Sequence, residues 1–269
     1  MNEGIKDVQN QFDDRNLRVD KVGVKDISYP VRVLDKVQGT QRTIARVNMY
    51  VDLPHYFKGT HMSRFIEILN EYRTEIGVKT FGAILRAMKD RLAAEVAHLE
   101  MAFPYFIQKK APVSGAEGLM EYHCKLYGSL KNGEEDIAVE VAVPVTTLCP
   151  CSREIANSGA HNQRSQVRVN FRFSQFVWIE DIIELIESCA SSPVYSILKR
   201  EDEKYVTEQA YEHPMFVEDV VRGVAEKLLA HADITWFSVE SENFESIHNH
   251  SAYAYIERSK GARKAGERR

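Results

Sequence analysis

An octapeptide that occurs twice constrains the fold of this chain more than any other feature. Residues 41–48 read QRTIARVN and residues 163–170 read QRSQVRVN. Each copy runs into residues that alternate between apolar and polar, and this period of two predicts a strand with one buried face. Since a short match alone could be coincidence, the elements around each copy decide whether the chain is duplicated.

The same order of predicted elements surrounds both copies. A strand-like run containing a proline precedes each copy, at 27–33 and at 137–145. Apolar residues with a helical period then follow twice in each half, at 65–72, 81–99, 179–189 and 217–229. Pro193 and Pro214 bracket a predicted loop between the last two helices. Each half closes with two more strand-like runs, at 103–106, 120–127, 235–239 and 252–256.

These elements predict an α+β fold built from two tandem β-β-α-α-β-β units, with antiparallel sheets covered by helices on one face. The polar turn at 131–135 marks the boundary. We therefore expect a flexible N-terminus at 1–18, a first unit at 19–132, a second unit at 133–257 and a basic tail at 258–269. Sheet edges left exposed in such units favour an oligomer.

Composition excludes several classes of protein. The 269 residues are 44% hydrophobic and carry a formal net charge of -4, which does not fit a nucleic-acid binder. No apolar run approaches the roughly 18 to 20 residues that a membrane span needs. The N-terminal residues are polar, unlike a secretory signal, and four cysteines in a chain of this length do not indicate a disulfide framework. We expect a cytoplasmic protein with reduced cysteines.

The densest chemical pattern lies at the end of the predicted strand 137–145. Cys149 and Cys151 follow the strand, and His161 comes ten residues after Cys151. Thiolate and imidazole are ligands that zinc prefers. Both thiols face one site only if the strand continues, and Pro150 can redirect the chain so that one thiol turns away. Two buried cysteines beside a turn histidine would give the same pattern.

Three further clusters carry groups suited to catalysis or binding. Glu245 precedes His248 and His250, and the two histidines share a face if they lie on a strand. Histidines beside a carboxylate could transfer protons near neutral pH. An exposed polar loop would have the same composition. The segment 199–208 is charged, as a solvated loop would be, and its Glu203 could complete a metal site. Glu218 stands near a predicted helix start, where a carboxylate either favours the helix dipole or binds a donor edge of a ligand.

Together these segments resemble GTP cyclohydrolase type IB. The matching motifs are KGTHMSRF at 58–65, LCPCSREI at 148–155, GAHNQRS at 159–165, KREDEKYVTE at 199–208, FVED at 216–219 and ESENFESIHNHSAYAYI at 240–256. The resemblance implies the tunnelling fold, with two copies of the fold per subunit and a homotetramer with active sites at subunit interfaces. It also implies metal-dependent hydrolysis of GTP to 7,8-dihydroneopterin triphosphate and formate, the first step of pterin and folate synthesis.

The same resemblance implies a role for each site residue. Cys149, His161 and Glu203 correspond to the ligands of a Zn²⁺ or Mn²⁺ ion, with Cys149 also counted among the catalytic groups. Glu218 corresponds to the glutamate that binds the guanine N1–H and 2-amino group. His248 corresponds to the acid–base group, with Glu245 and Cys151 beside the metal. Candidates for the triphosphate are Lys58, His61, Arg64, Arg164, Lys199, Arg200 and Lys204.

Two alternatives stay open on the sequence. Another tunnelling-fold enzyme that acts on a pterin or a deazapurine would share the anchoring glutamate. A non-catalytic metal-binding protein would keep Cys149 and His161 but would not need Glu218, His248 and Glu245 together.

Overall fold

The first half of the chain forms the predicted order of elements. A computed structural model describes residues 8–9, 11–72 and 76–260, apart from the side chain of Lys79. The elements are β1 (Val19–Asp35), β2 (Gly39–Leu53), α1 (Met62–Glu71), α2 (Val78–Leu92), β3 (Val96–Lys110) and β4 (Glu117–Lys131). The strands extend further than the apolar runs that predicted them. Residues 261–269 of the predicted basic tail, and 1–7 and 10 of the predicted N-terminal segment, lie outside the described residues.

The second half repeats this order with three additional elements. It contains β5 (Glu134–Leu148), α3 (Pro150–Ile155), β6 (Asn162–Phe173), α4 (Ile179–Glu187), β7 (Ser192–Pro193), α5 (Arg200–Glu212), α6 (Val217–Ala230), β8 (Ile234–Asn243) and β9 (Ala252–Ser259). Removing α3, β7 and α5 leaves β-β-α-α-β-β. The strands hydrogen-bond in the order β1-β2-β3-β4-β5-β6-β8-β9, and β7 pairs with β5.

Both copies of the octapeptide form strands with one buried face, as predicted. In β2, Val47 and Met49 are almost fully buried, while Asn48 between them is partly exposed. In β6, Val167 and Val169 are buried in the same way. This alternation results from the pleat, which turns successive side chains to opposite faces of a sheet.

The turn between β4 and β5 has the backbone that its sequence indicates. Asn132 and Gly133 have φ values of 53° and 82°. A two-residue hairpin loop with both central residues at positive φ matches the twist of the flanking strands, and Asn-Gly tolerates it best.

Two predictions about secondary structure are wrong. The apolar period assigned to the second helix extended to Leu99, but α2 ends at Leu92, Ala93 adopts the left-handed conformation that terminates it, and Leu99 lies in β3. The stretch between Pro193 and Pro214 was predicted to be a loop and contains the 13-residue helix α5. Only Asp202 and Ala210 of α5 are buried, so this helix has no apolar stripe for a periodicity argument to detect.

The described chain divides into two compact units. The first contains the chain up to Pro104 with Lys125–Ala138, and in it α1 packs on β1 and α2 packs on β2. The second contains Tyr105–Cys124 with the chain from Val139 onward, and in it α6 packs on β8 and β9. Among the described residues, no helix is long and apolar enough to cross a membrane.

Candidate functional site

The cysteine pair lies where β5 ends and the chain turns. Leu148 is the last residue of β5, Cys149 caps the short helix α3, and Pro150 begins that helix. The proline therefore redirects the chain, the second of the two possibilities that the sequence allowed. Cys149 is partly buried and its Sγ accepts a hydrogen bond from the Ser152 N–H at 3.4 Å, while Cys151 is exposed. The two thiols consequently have different environments.

Main-chain hydrogen bonds bring His161 next to Cys149. The Cys149 N–H donates to the His161 carbonyl oxygen at 3.1 Å. The Ser152 hydroxyl joins the same two residues, since it accepts from the His161 N–H and donates to the Cys149 carbonyl oxygen, both at 3.2 Å. The backbone of the β5–β6 junction thus fixes the two candidate ligands as neighbours.

The imidazole of His161 has two polar neighbours at Nδ1. The Oε1 atom of Gln163 lies 3.1 Å away, and the Ser246 hydroxyl lies 3.5 Å away. Gln163 in turn donates from Nε2 to the Thr147 hydroxyl at 2.7 Å. No property of the sequence marked Gln163 as more than a repeated strand residue.

The loop at 244–251, between β8 and β9, carries Glu245, His248 and His250. It is tied to β6 because the Phe244 N–H donates to the Arg164 carbonyl oxygen at 3.0 Å. Glu245 is partly buried, and its Oε2 is shielded from solvent without a hydrogen-bond partner among the described residues. A buried carboxylate oxygen without a donor is costly, so this atom is suited to accept a proton or a cation.

His248 and His250 are adjacent, although they do not lie on a strand. Both are exposed in a loop of bends, and their rings stack with centroids 5.3 Å apart and planes inclined by 15°. The exposed loop is one of the two possibilities that the sequence left open, and the two side chains lie close together in it without a strand.

Glu218 occupies the first turn of α6, close to the predicted helix start. Its side chain is exposed, and the helix is capped by Asp219, whose carboxylate accepts from the Phe216 N–H at 3.0 Å. The Met215 N–H donates to the Leu148 carbonyl oxygen at 3.0 Å, which ties the start of α6 to the residue before Cys149. The candidate base-binding carboxylate and the candidate metal ligand are therefore linked through the backbone.

Glu203 is not assembled with the other predicted ligands. It is exposed on α5, and within the described part of the chain no three His, Cys, Asp or Glu side chains form a group that could hold a metal ion. The helix itself is well anchored by Asp202, a fully buried carboxylate. Burial opposes the charge of Asp202, but hydrogen bonds from the Ser114 side chain and from backbone N–H groups, including that of Lys199, hold its pKa below the usual range.

Ser152, Gln163, Thr147 and Asp202 all shape the site and were not identified in the sequence. Only Asp202 had a signal in the sequence, because it lies three residues after Lys199. At this spacing an acidic side chain can accept a hydrogen bond from the N–H group of the residue that precedes a helix. The other three act through hydrogen bonds between different segments, for which the sequence has no local pattern.

Comparisons with known proteins agree on one family. Residues 5–254 match the family described as type I GTP cyclohydrolase folE2. GTP cyclohydrolase FolE2 from Geotalea uraniireducens (strain Rf4) is 62% identical over 256 residues, covering 95% of this chain and 94% of that protein. GTP cyclohydrolase FolE2 from Syntrophotalea carbinolica is 62% identical over 253 residues, covering 94% of this chain and 95% of that protein.

Solved structures share the fold at low sequence identity. Uricase from Arthrobacter globiformis aligns with a TM-score of 0.53 at 6% identity, covering 92% of this chain and 96% of that one. A urate oxidase mutant from Bacillus sp. TB-90 aligns with a TM-score of 0.54 at 9% identity, covering 90% and 100%. These likenesses confirm the tunnelling fold expected from the sequence.

Proposed function

Since this chain belongs to the type I GTP cyclohydrolase folE2 family, we propose that its β5–β6 junction holds the divalent metal ion on which the reaction depends. The chain is a GTP cyclohydrolase, which hydrolyses GTP to 7,8-dihydroneopterin triphosphate and formate in folate biosynthesis. The family match across 5–254 carries this assignment. It leaves no support for a non-catalytic metal-binding protein or for a tunnelling-fold enzyme with another substrate.

The residues at the junction fit a metal ion in their chemistry. Cys149 and His161 supply a thiolate and an imidazole, the ligand types that favour zinc, and hydrogen bonds already hold them as neighbours. The buried Oε2 atom of Glu245, which has no hydrogen-bond partner in the part of the chain that the structure describes, marks a place where a cation would be stabilised. Glu203 is our proposed third ligand on the family resemblance, and its exposed position on α5 leaves it free to be engaged when the metal binds.

Zn²⁺ and Mn²⁺ both remain candidates. A thiolate ligand favours the softer Zn²⁺, while a carboxylate such as that of Glu203 also suits Mn²⁺. When bound, either ion supplies Lewis-acid activation of water near neutral pH.

Protein side chains must bind the base and move protons. The Glu218 carboxylate accepts hydrogen bonds from the guanine N1–H and 2-amino group, which orients C8 for attack. As water adds to C8, His248 delivers a proton to N7, and ring opening leaves a formamide. A second hydrolysis releases C8 as formate, and the ribose then rearranges and closes to the pterin. Glu245 lies in the loop at 244–251, next to Ser246, whose hydroxyl is close to the His161 ring, and Cys151 lies in α3, the helix that Cys149 caps. These two side chains are the remaining candidates for proton transfer.

Cations in the second unit can neutralise the triphosphate. Arg164, Lys199, Arg200 and Lys204 are exposed, as a phosphate-binding group must be. Lys204 lies 3.8 Å from Glu208 one helical turn away, an exposed pair that costs little to break. Lys58, His61 and Arg64 belong to the first unit, and the Arg64 guanidinium already donates to the Arg91 carbonyl oxygen.

Exposed sheet edges support assembly into the homotetramer that the family resemblance implies. β1 and β9 stand at the two ends of the strand order, so each has one side without a strand partner in the described chain. On β9, Tyr253 and Tyr255 are 58% and 51% exposed. The unpaired N–H and C=O groups of such an edge can pair with a strand of another chain, and an exposed aromatic face beside it can pack against that chain.

Removal and replacement of the metal tests the proposed site. We expect a chelator to abolish formation of the fluorescent pterin and release of formate from GTP, and Zn²⁺ or Mn²⁺ to restore both. Cys149→Ala should lose bound metal together with activity, while Cys151→Ala, which changes the exposed neighbouring thiol, should keep its metal. Full turnover in protein shown to be metal-free by elemental analysis would refute the proposal.

A further inference from the structure

A line of buried hydrogen bonds runs from the interior of the second unit to the ring of His161. Thr147 and Ser165 are fully buried and Gln163 is 7% exposed. The hydroxyls of Thr147 and Ser165 are 2.8 Å apart, Gln163 Nε2 donates to Thr147 Oγ1 at 2.7 Å, and Gln163 Oε1 lies 3.1 Å from His161 Nδ1. All of these groups lie on β5 and β6 or at the junction between them.

The two ends of the Gln163 amide are not equivalent in this line. Its nitrogen only donates and its oxygen only accepts. Because the nitrogen is directed at Thr147, the oxygen is the atom that faces His161. Thr147 accepts from Gln163 and can therefore donate its own hydroxyl proton to the Ser165 oxygen, so the hydrogen bonds of the line run in one direction.

A carbonyl oxygen facing a ring nitrogen selects the tautomer of a neutral histidine. Only a protonated Nδ1 can donate to Oε1, and the lone pair of the imidazole is then on Nε2. The second neighbour of Nδ1, the Ser246 hydroxyl, cannot make this selection, because it is farther away at 3.5 Å and a hydroxyl can either donate or accept.

We infer that Gln163 is a positioning residue, which holds His161 with its proton on Nδ1 and presents the Nε2 lone pair to the metal ion. This inference rests on the proposed role of His161 as a ligand. Groups that bond to the second nitrogen of a ligating histidine fix its tautomer and orientation and raise its basicity. Gln163 does this through an amide that is itself oriented by Thr147.

The corresponding glutamine of the first octapeptide has a different partner. Gln41 donates from Nε2 to Asp35 Oδ2 at 2.9 Å, next to the turn between β1 and β2. The duplicated sequence therefore carries the glutamine into both halves, and only the second copy has a histidine two residues before it.

Two measurements on the same variants test the role of Gln163. The first is the tautomer of His161 in metal-free protein, read from the ¹⁵N shifts of labelled histidine and assigned with His161→Asn. The second is Zn²⁺ affinity in competition with a chromophoric chelator. We expect wild type to show protonated Nδ1, and Gln163→Met to populate the Nε2–H form and to bind Zn²⁺ about 10–100-fold more weakly. Gln163→Glu retains an acceptor and should recover both properties.

Gln166→Met is the matched control, because it makes the same change on the opposite face of β6 and should leave both measurements unchanged. If Gln163→Met does not fold, Thr147→Val tests the same line by removing the acceptor that orients the amide, and should shift the tautomer in the same direction.

Protonated Nε2 in wild type would overturn the inference. So would a tautomer and a Zn²⁺ affinity that are unaffected in the folded variants. Unchanged Zn²⁺ binding by Cys149→Ala would instead refute the proposed metal site, while the tautomer would still decide the role of Gln163.

Discussion

Glu218 and His248 are both exposed, but Glu218 lies in a helix and His248 lies in a loop. Glu218 stands in the first turn of a capped helix, whereas His248 lies in a loop tied to β6 near Phe244. A rigid helix start suits recognition of a fixed donor edge. A loop with a stacked histidine pair suits proton transfer, which needs a group that can adjust its position.

Loss of the Glu218 carboxylate should weaken binding of GTP without affecting the metal. Hydrogen bonds to a charged group contribute about 1.5–3 kcal/mol each, so two of them predict a loss of about 10²-fold or more in affinity for Glu218→Ala. Equilibrium binding of GTP with metal analysis on the same sample would measure this. Glu226→Ala, the same change at an exposed position further along α6, is the control. Equal use of ATP and GTP by wild type would contradict the role proposed for Glu218.

Replacement of His248 should slow the chemical steps. General acid–base catalysis contributes roughly 10²–10⁴-fold, so His248→Ala should lower turnover by about that amount while metal content and GTP affinity change little. Single-turnover analysis of products would also reveal accumulation of the ring-opened formamide if the second hydrolysis uses the same proton carrier. His250→Ala, the stacked partner, is the comparison. Loss of metal in His248→Ala would place this residue among the ligands instead.

At the scale of elements, α5 is notable because a single side chain anchors its start. The Asp202 carboxylate accepts from the Val113 N–H and the Ser114 N–H at 2.8 Å, from the Ser114 hydroxyl at 2.6 Å and from the Lys199 N–H at 2.8 Å. These bonds join the helix to the turn between β3 and β4. At its other end, the Arg153 guanidinium of α3 lies 4.7 Å from the centre of the Tyr211 ring. The helix that carries Glu203 is thus held at both ends.

Removal of the Asp202 carboxylate should release α5 and with it Glu203. We expect Asp202→Ala to lower the thermal midpoint, to increase hydrogen exchange within residues 200–212 and to weaken metal binding, because four donors lose a buried acceptor. Glu201→Ala, its exposed neighbour in the same helical turn, should do none of these. Normal exchange protection of α5 in Asp202→Ala would show that other contacts hold the helix.

At the scale of the whole molecule, β1 and β9 are the first and last strands in the order of hydrogen-bonded strands. The outer side of each has no strand partner within the described chain. A homotetramer could pair these edges through their backbone groups and cover the two exposed tyrosines of β9 with the face of a neighbouring subunit. We expect light scattering to give the mass of four chains at assay concentration. Charged replacements of Tyr253 and Tyr255 should lower that mass and the activity together, while the same replacement of Val37, 90% exposed in the β1–β2 turn, should change neither. A fully active monomer would refute the assembly.

The amino-acid sequence alone determined the elements whose signal is local. Alternation of apolar and polar residues predicted β2 and β6, Asn132-Gly133 predicted a turn, and the octapeptide predicted two equivalent halves. The motifs around Cys149 and His161 were sufficient to indicate the family. In each case neighbours along the chain decide the outcome, because periodicity and turn chemistry act over a few residues.

Only the tertiary structure decided which groups meet. Cys149 and His161 became neighbours through main-chain hydrogen bonds, and Gln163 acquired its orientation from Thr147 on the adjacent strand. The helix α5 forms without an apolar stripe because Asp202 bonds to a turn almost ninety positions earlier in the chain. Such contacts depend on the path of the chain between segments, and no local pattern of residue types records that path.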